Sequence, residues 1–210
     1  IVTNSLEQKD NQHEDRQLIN NNEQDILTKS EEFQDQKTDK ASQSQSLQSH
    51  LIMEQTFDKI ASGSSSIPLN RLMESTLQIF FSAERVFFYH DISSVKILYC
   101  PSTTQYCPHG TGLVGYSQFT RKTVNLEKAN NHAAYSLQLE GNQCPPNSRV
   151  LIFPLFDSTS NIRSVVEVVR NSESPVFTTD DIKFVEYLQN KCQMYSRWLF
   201  QPILDDSLAS

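Results

Sequence analysis

The sequence predicts an α+β fold in which helices flank an antiparallel β-sheet. Helical and strand-like apolar periods alternate along residues 66–200, and the predicted strands are joined by connections too short for parallel crossovers. The preceding part differs in kind, because residues 1–60 hold six basic and twelve acidic side chains and no Gly or Pro occurs before Gly63. We therefore predict a helical or partly disordered extension at residues 1–62, one domain at residues 66–200 and a tail at residues 201–210.

The extension combines a polar composition with a weak heptad pattern. Gln, Asn, Glu, Lys and Ser dominate it, while apolar residues recur every seven positions at Ile19, Ile26 and Phe33. Most companion positions are polar, so two interpretations stay open: a helix that becomes ordered in a coiled coil with a partner, or a largely disordered segment. From Leu47 to Ile60 the spacing predicts a helix that packs on the domain. We expect a protein partner to bind through this extension.

Eight elements are predicted within the domain, each from a local signal. Pro68 suits the first turn of a helix, the glycines from Gly110 onward open a second helix, and acidic residues follow Thr178 at the start of the last one. Pro154 lies within a strand pattern, which predicts a sheet edge or a bulge where its missing N–H does no harm. The predicted order is a helix at residues 68–81, strands at 85–91 and 95–99, a Pro- and Thr-rich loop, a helix at 110–120, strands at 123–126, 148–156 and 162–170, and a helix at 178–199.

Charge and hydropathy argue against two classes of protein. The formal charge is −7 and the sequence pI is ≈ 5.2, which argues against nucleic-acid binding because phosphate contacts need Lys and Arg. No run approaches the roughly 18 apolar residues of a membrane-spanning helix. The chain starts with Ile1 and shows no basic-then-apolar leader, so we expect a cytoplasmic protein without a secretory signal.

The cysteines and histidines do not form a recognisable metal or catalytic motif. Cys100, Cys107 and His109 have spacings unlike those of structural zinc sites. His90 and Asp91 end a predicted strand and are expected to face solvent, and no Ser-His-Asp or paired-carboxylate pattern is present. We therefore predict free thiols in a reducing cytosol, with no catalytic residue, no metal and no cofactor.

Five motifs of the domain follow one another in a characteristic order: Ser82–Val86, Gly110–Tyr116, Arg121–Leu126, Val150–Asp157 and Ser164–Asn171. In this order they resemble a GAF domain, a small-molecule-sensing and dimerisation module related to the PAS fold. The resemblance covers the whole predicted domain. It implies an antiparallel sheet with a ligand pocket between the sheet and the connecting helices.

The resemblance extends in part to a signature of phosphodiesterase GAF domains, which bind cyclic nucleotides: Asn-Lys…Phe…Asp-Glu. Asn171, Phe177 and Asp180 match it, while Ser172 replaces the lysine and Asp181 replaces the glutamate. The ion pair between that lysine and the aspartate is then unavailable, which argues against nucleotide binding. We interpret Phe177 as a core residue and Asp180 as the cap of the last helix.

The candidate ligand contacts also come from the resemblance. In ligand-binding relatives the connection after the third predicted strand covers the pocket, and here it holds His132 and Tyr135. These two residues are the predicted contacts of a small-molecule ligand, if this domain takes one.

The resemblance is compatible with three functions, of which the first is favoured. It is a non-catalytic GAF domain that serves protein–protein assembly or regulation within a larger protein, as a regulatory or scaffold element. The cytoplasmic location then includes cilia and the cytoskeleton, because GAF domains occur in structural proteins of cilia and the Asn and Gln content resembles protist proteins. The alternatives are a sensor of a cyclic nucleotide or related molecule, and a thiol-dependent methionine sulfoxide reductase that uses Cys100, Cys107 and Cys144.

Overall fold

A computed structural model describes residues 51–59, 62 and 69–196 of the chain, and it confirms the α+β fold. Two predicted regions lie outside the described residues: the heptad positions of the extension, through which we expect a partner to bind, and the tail. Within the described ranges, no helix is long and apolar enough to cross a membrane. The elements are α1 (residues 51–59), α2 (Leu69–Phe80), β1 (Arg85–Ile92), β2 (Ile97–Cys100), β3 (Gln105–Pro108), α3 (Gly112–Thr120), β4 (Val124–Leu126), a 3₁₀ turn (Ala129–Asn131), α4 (Leu137–Glu140), β5 (Arg149–Phe156), β6 (Ile162–Arg170) and α5 (Thr179–Met194).

The six strands form one sheet in the order β3-β2-β1-β6-β5-β4, and every neighbouring pair is antiparallel, as predicted. The two strongest strand patterns, β5 and β6, form a hairpin in the middle of the sheet. β3 and β4 lie at opposite edges, so the chain must cross one face of the sheet between them. This crossing consists of α3, which contacts β5 and β6 on its way.

Three elements were not predicted, and one strand begins later than expected. β3 lies in the segment that the sequence assigned to a Pro- and Thr-rich loop; it is held by pairing with β2, where the rings of Tyr99 and Tyr106 stack at 4.8 Å. The 3₁₀ turn and the single turn of α4 lie between the predicted strands 123–126 and 148–156, where no element was predicted. β2 begins at Ile97 rather than Val95, because Lys96 has a φ of 55° and closes the turn from β1.

Apolar side chains form a separate core on each face of the sheet. On the first face α1, α2 and α5 pack against the sheet, with the large buried side chains Met53, Phe57, Met73, Leu77, Phe81, Phe153 and Leu188. On the second face α3 and the connection to β5 cover Tyr89, Leu98, Cys107, Leu113, Val150, Ile152 and Val165. A helix layer on one face and a mixed helix–loop layer on the other thus enclose the sheet.

Pro154 occupies the kind of position that the sequence predicted. It pairs with Val165 of β6, while β4 pairs with β5 only as far as Ile152, so the other side of Pro154 has no neighbouring strand. Its carbonyl points to that open side and accepts a hydrogen bond from Gln189 Nε2 of α5 at 2.8 Å. Because the N–H of a strand residue lies on the same side as its carbonyl, the missing donor breaks no ladder bond.

The start of α5 corrects one prediction about the signature residues. The N-cap is Thr178, whose side chain accepts from the N–H of Asp181, while the Asp181 carboxylate accepts from the N–H of Thr178. This reciprocal pair is a capping box. Asp180, which we expected to be the cap, lies in the first turn and pairs with Lys183 at 2.9 Å.

Candidate ligand site

The second core lies where the resemblance places a ligand pocket. α3 crosses the sheet there, and its Leu113 and Val114 pack with Ile152 and Val165 of the central hairpin. All four side chains are buried. The 3₁₀ turn and α4 then lead the chain back toward β5, so this face is covered by short elements rather than by one long helix.

A buried carboxyl group of α4 fastens the start of α3. Glu140 Oε1 accepts a hydrogen bond from the N–H of Leu113, and its Oε2 accepts one from the N–H of Ser136 at 2.7 Å. Gly112 makes room for it: its φ is 69°, and a Cβ there would lie 2.5 Å from Glu140 Oε1. Burial raises the pKa of Glu140, and the two N–H donors oppose that rise. The Leu113 amide at the N-terminus of α3, where a helix favours an anion, is thus bound by the protein's own Glu140 carboxyl group.

A second carboxyl group, Glu167 of β6, is enclosed on the same face with no exposed surface. The Tyr89 hydroxyl lies 3.2 Å from Glu167 Oε2 and 2.7 Å from Gln143 Oε1. Burial and, secondarily, the charge of Glu140 raise the pKa of Glu167 to about 8, although the hydrogen bond with Tyr89 opposes the rise. At neutral pH this carboxyl group is therefore mostly protonated.

Because Glu167 is mostly protonated, the donors and acceptors among Tyr89, Gln143 and Glu167 can be assigned. One hydroxyl donates a single hydrogen bond, so Tyr89 donates to Gln143 Oε1 at the shorter distance. The protonated carboxyl of Glu167 can then donate to the Tyr89 oxygen. Glu167 Oε1 has no hydrogen-bond partner in the described part of the chain, which leaves one buried acceptor unsatisfied in the interior of the site.

The thiols near this site are buried. Cys107 Sγ donates to the Thr111 carbonyl at 3.0 Å, and Cys100 and Cys144 are buried as well. Burial raises the pKa of Cys107 to about 11 and raises that of Cys144 further still. Among the described residues, no three His, Cys, Asp or Glu side chains are grouped so that they could hold a metal ion.

The two predicted ligand contacts lie in the cover of this face, and their polar groups bind within it. Tyr135 donates from its hydroxyl to the Cys144 carbonyl at 3.0 Å. His132 Nδ1 accepts from the N–H of Ala134 at 3.1 Å, and the His132 ring contacts the ring of Tyr116 edge to face at 4.5 Å. Whether either touches a ligand stays a prediction.

The three signature positions do not join this site. Phe177 is buried in the first core, on the other face of the sheet, and its ring meets that of Phe81. Asn171 is exposed, and its Oδ1 accepts from the N–H groups of Glu173 and Ser174, which closes the turn after β6. Asp180 is exposed in the first turn of α5.

Arg170, which the sequence does not single out, forms a different ion pair: it contacts Asp181 at the glutamate position of the signature, not Asp180. Its Nη2 lies 3.7 Å from Asp181 Oδ1, and its guanidinium group lies 4.0 Å over the ring of Phe177. Nε also donates to the Phe81 carbonyl at 2.8 Å. A buried cation one position before Asn171 therefore links β6 to α5.

Comparison with solved structures identifies the architecture. The chain superposes on the GAF domain of a phosphoenolpyruvate-protein phosphotransferase from Acinetobacter with a TM-score of 0.53 and 17% identity, covering 71% of this chain and 92% of that domain. This chain has the GAF fold. A GAF domain of the same kind of enzyme from Coxiella burnetii gives a TM-score of 0.53 at 16% identity and covers 70% of this chain and 94% of that one.

The GAF fold is also shared with an enzyme. The free methionine-R-sulfoxide reductase of Neisseria meningitidis, solved with its substrate, gives a TM-score of 0.53 at 16% identity and covers 72% of this chain and 92% of that one. No protein-family model matches the sequence, and no curated protein sequence matches it either. At these identities the likeness shows the GAF fold, and the function has to be argued from the site.

Proposed function

We propose that this domain is a non-catalytic GAF-fold module that acts in protein–protein assembly or regulation within a larger protein. One observation carries the proposal: the interior between α3 and the sheet is filled by the protein's own side chains. Leu113, Cys144, Ile152 and Glu167 have no exposed surface, so no water-sized space adjoins them. A ligand could enter such an interior only after these side chains rearranged.

The buried thiols support the same proposal, because the alternative function, a thiol-dependent methionine sulfoxide reductase, would need a reactive cysteine. The thiolate is the nucleophilic form of cysteine. With a pKa of about 11, Cys107 carries a thiolate in about one molecule in ten thousand at pH 7, and Cys144 carries less. Neither cysteine is therefore poised for attack on a sulfoxide.

The test of this proposal combines one assay and one titration on the full chain. With dithiothreitol as reductant, we expect no conversion of free methionine sulfoxide to methionine, measured by chromatography, for the wild type or for the variant Cys107→Ser/Cys144→Ser. A free methionine-R-sulfoxide reductase serves as the positive control. Calorimetric titration with cyclic AMP and cyclic GMP at millimolar concentration is expected to give no binding heat. Turnover by the wild type, whether the double variant loses it or keeps it through Cys100, or a saturable heat, would refute the non-catalytic assembly role in favour of the corresponding alternative.

A second function, the binding of a small ligand, is supported by one specific observation. Glu167 Oε1 is a buried acceptor without a partner among the described residues. Leaving a buried polar group unsatisfied is unfavourable, and a ligand with an N–H or O–H donor would relieve that cost. The calorimetric titrations should therefore be repeated on Glu167→Met, which removes the acceptor, whereas Glu167→Gln would keep it. A heat that appears with wild type and is lost in Glu167→Met would place the ligand at this carboxyl group.

A further inference from the structure

A surface cleft of about 700 Å³ opens where three parts of the chain meet. These are the turn between β1 and β2, the C-terminal end of α3, and the turn between β5 and β6. The cleft is separate from the enclosed interior described above. Its main lining residues are Lys96, His109, Phe119, Arg121, Asn161 and Arg163.

Three cationic side chains surround this cleft, and two of them have no carboxylate partner within the described part of the chain. Arg163 is paired with Asp157 at 2.8 Å. Arg121 donates from Nη2 to the Ser160 carbonyl at 2.6 Å and lies 5.0 Å over the ring of Phe156, but no carboxylate of the described residues lies within 4 Å of it. Lys96 is exposed, and no carboxylate of the described residues lies within 4 Å of it.

The side chain of Asp91, the carboxylate that lines the cleft, is buried and hydrogen-bonded to neighbouring side chains. The Asp91 side chain is only 3% exposed, contrary to the solvent-facing position expected from the sequence. Its Oδ1 lies 2.9 Å from His109 Nε2 and accepts from Ser93 Oγ at 3.1 Å, and its Oδ2 accepts from Gln118 Nε2 at 3.5 Å. Because the Asp91 side chain is buried and both of its carboxylate oxygens are hydrogen-bonded, the charged side chains that the cleft exposes to solvent are the cations Lys96, Arg121 and Arg163.

Two of these cations stand at backbone positions that normally favour glycine. Lys96 has a φ of 55° in the turn between β1 and β2, and Arg121 has a φ of 61° at the C-cap of α3. A left-handed residue at such points is most often glycine, because a Cβ is unfavourable there. The Lys96 side chain makes no hydrogen bond or ion pair with the described residues that would offset this cost. Its presence is explained if its charge serves a contact outside the domain.

An exposed aromatic ring completes the cleft. Phe119 of α3 is 75% exposed and lies two residues before Arg121. Aromatic and arginine side chains side by side are typical of residues that contribute most to protein–protein interfaces. We propose that the cleft binds an acidic peptide segment of a partner protein, with its carboxylates at Lys96 and Arg121 and an apolar side chain on Phe119. The inference rests on the proposed role in assembly and adds the chemistry of the partner.

Fluorescence anisotropy of a labelled peptide tests this proposal on the full chain. The probe is a fluorescein-labelled decapeptide in which Glu and Asp residues flank one Leu, and we expect saturable binding that weakens about tenfold between 50 mM and 500 mM NaCl. Lys96→Gly is expected to weaken binding about two- to fivefold, and the double variant Lys96→Gly/Arg121→Gln about tenfold. Phe119→Ala is expected to weaken it about three- to tenfold.

Matched variants away from the cleft serve as controls. Lys128→Gly removes one exposed cation and Ile79→Ala truncates one exposed apolar side chain, and both should leave binding of the probe unchanged. Lys96→Gly should also unfold at no lower urea concentration than the wild type, because glycine suits the left-handed backbone. A lower midpoint would mean that the lysine stabilises the fold, which would remove the reason given for its charge.

Three outcomes would overturn the proposal. One is the absence of binding, and another is equal weakening by the cleft variants and the control variants. The third is equal affinity for a peptide with Lys in place of every acidic residue, or for a labelled single-stranded oligonucleotide, because the cleft would then not select an acidic peptide. The assembly role itself is decided by the reductase assay and the titrations of the interior, so failure of the peptide proposal is distinguishable from failure of that role.

Discussion

Replacing Glu167 with glutamine is expected to remove a large part of the pH dependence of folding and to stabilise the protein above neutral pH. The carboxyl group titrates near 4.5 in the unfolded chain and at about 8 in the folded one, chiefly because it is buried and secondarily because Glu140 is near. Below pH 4.5 both states hold the proton, so the group has no effect on stability. Between pH 4.5 and about 8 only the folded state holds it, so stability falls as pH rises.

The size of this effect follows from the gap between the two pKa values. A gap from 4.5 to about 8 corresponds to a loss on the order of 3–5 kcal/mol of the free energy of unfolding across that window. Glutamine has nearly the same shape and can donate to the Tyr89 oxygen, but it has no charge to desolvate. We therefore expect the stability curves to cross: the wild type is equal or more stable at pH 5, and the variant is more stable at pH 8.5.

Urea unfolding at pH 5, 6, 7, 8 and 8.5 measures the difference. Glu74 and Glu140 are also buried carboxyl groups with raised pKa values, but they are present in both proteins and largely cancel in the comparison. Glu173→Gln, a change at an exposed position, is the control and should follow the wild-type curve. Parallel curves for wild type and Glu167→Gln would show that Glu167 does not carry a buried proton.

The fold was predictable where elements carry a strong local pattern. β6 was predicted with its observed bounds, because Ile162–Arg170 is rich in Val and Ile, and β1 was predicted within one residue. β3 and α4 were not predicted, because neither has a local signal of its own. β3 exists by pairing with β2, and α4 is fixed by hydrogen bonds to Glu140 from two separate backbone amides.

The candidate site was less accessible to prediction than the fold. His132 and Tyr135 came from the resemblance alone, and the buried acid on the sheet beneath them was overlooked. A signal for that acid exists: Glu167 interrupts a run of four valines in a strand buried on both faces, where an ionisable side chain is rare. The cleft cations had no comparable signal, since a left-handed conformation at Lys96 or Arg121 depends on how the turns close.

Replacing Arg170 with methionine is expected to destabilise the protein by about 3–5 kcal/mol. The side chain is buried, and its guanidinium group donates from Nε and Nη2 to the Phe81 carbonyl at 2.8 and 2.5 Å. Nη1 donates to the Pro175 carbonyl at 3.2 Å and the Val176 carbonyl at 3.4 Å, and Asp181 lies within ion-pair distance. Methionine fills a similar volume but satisfies none of these acceptors.

The loss should be large because one planar group joins three parts of the first core. It connects the end of α2, which lies 89 residues earlier in the chain, to the loop after β6 and the start of α5. Arg170→Lys keeps the charge but replaces the fork of donors by a single ammonium group, so an intermediate loss is expected.

Urea unfolding at pH 7 provides the measurement, and Arg71→Met provides the control. Arg71 is exposed and lies 3.9 Å from Glu74, so its replacement should reduce stability by no more than about 1 kcal/mol. If Arg170→Met lost no more than this control, the guanidinium group would not be the link between β6 and α5. An intermediate value for Arg170→Lys, between wild type and methionine, would separate the contribution of the fork of donors from that of the charge.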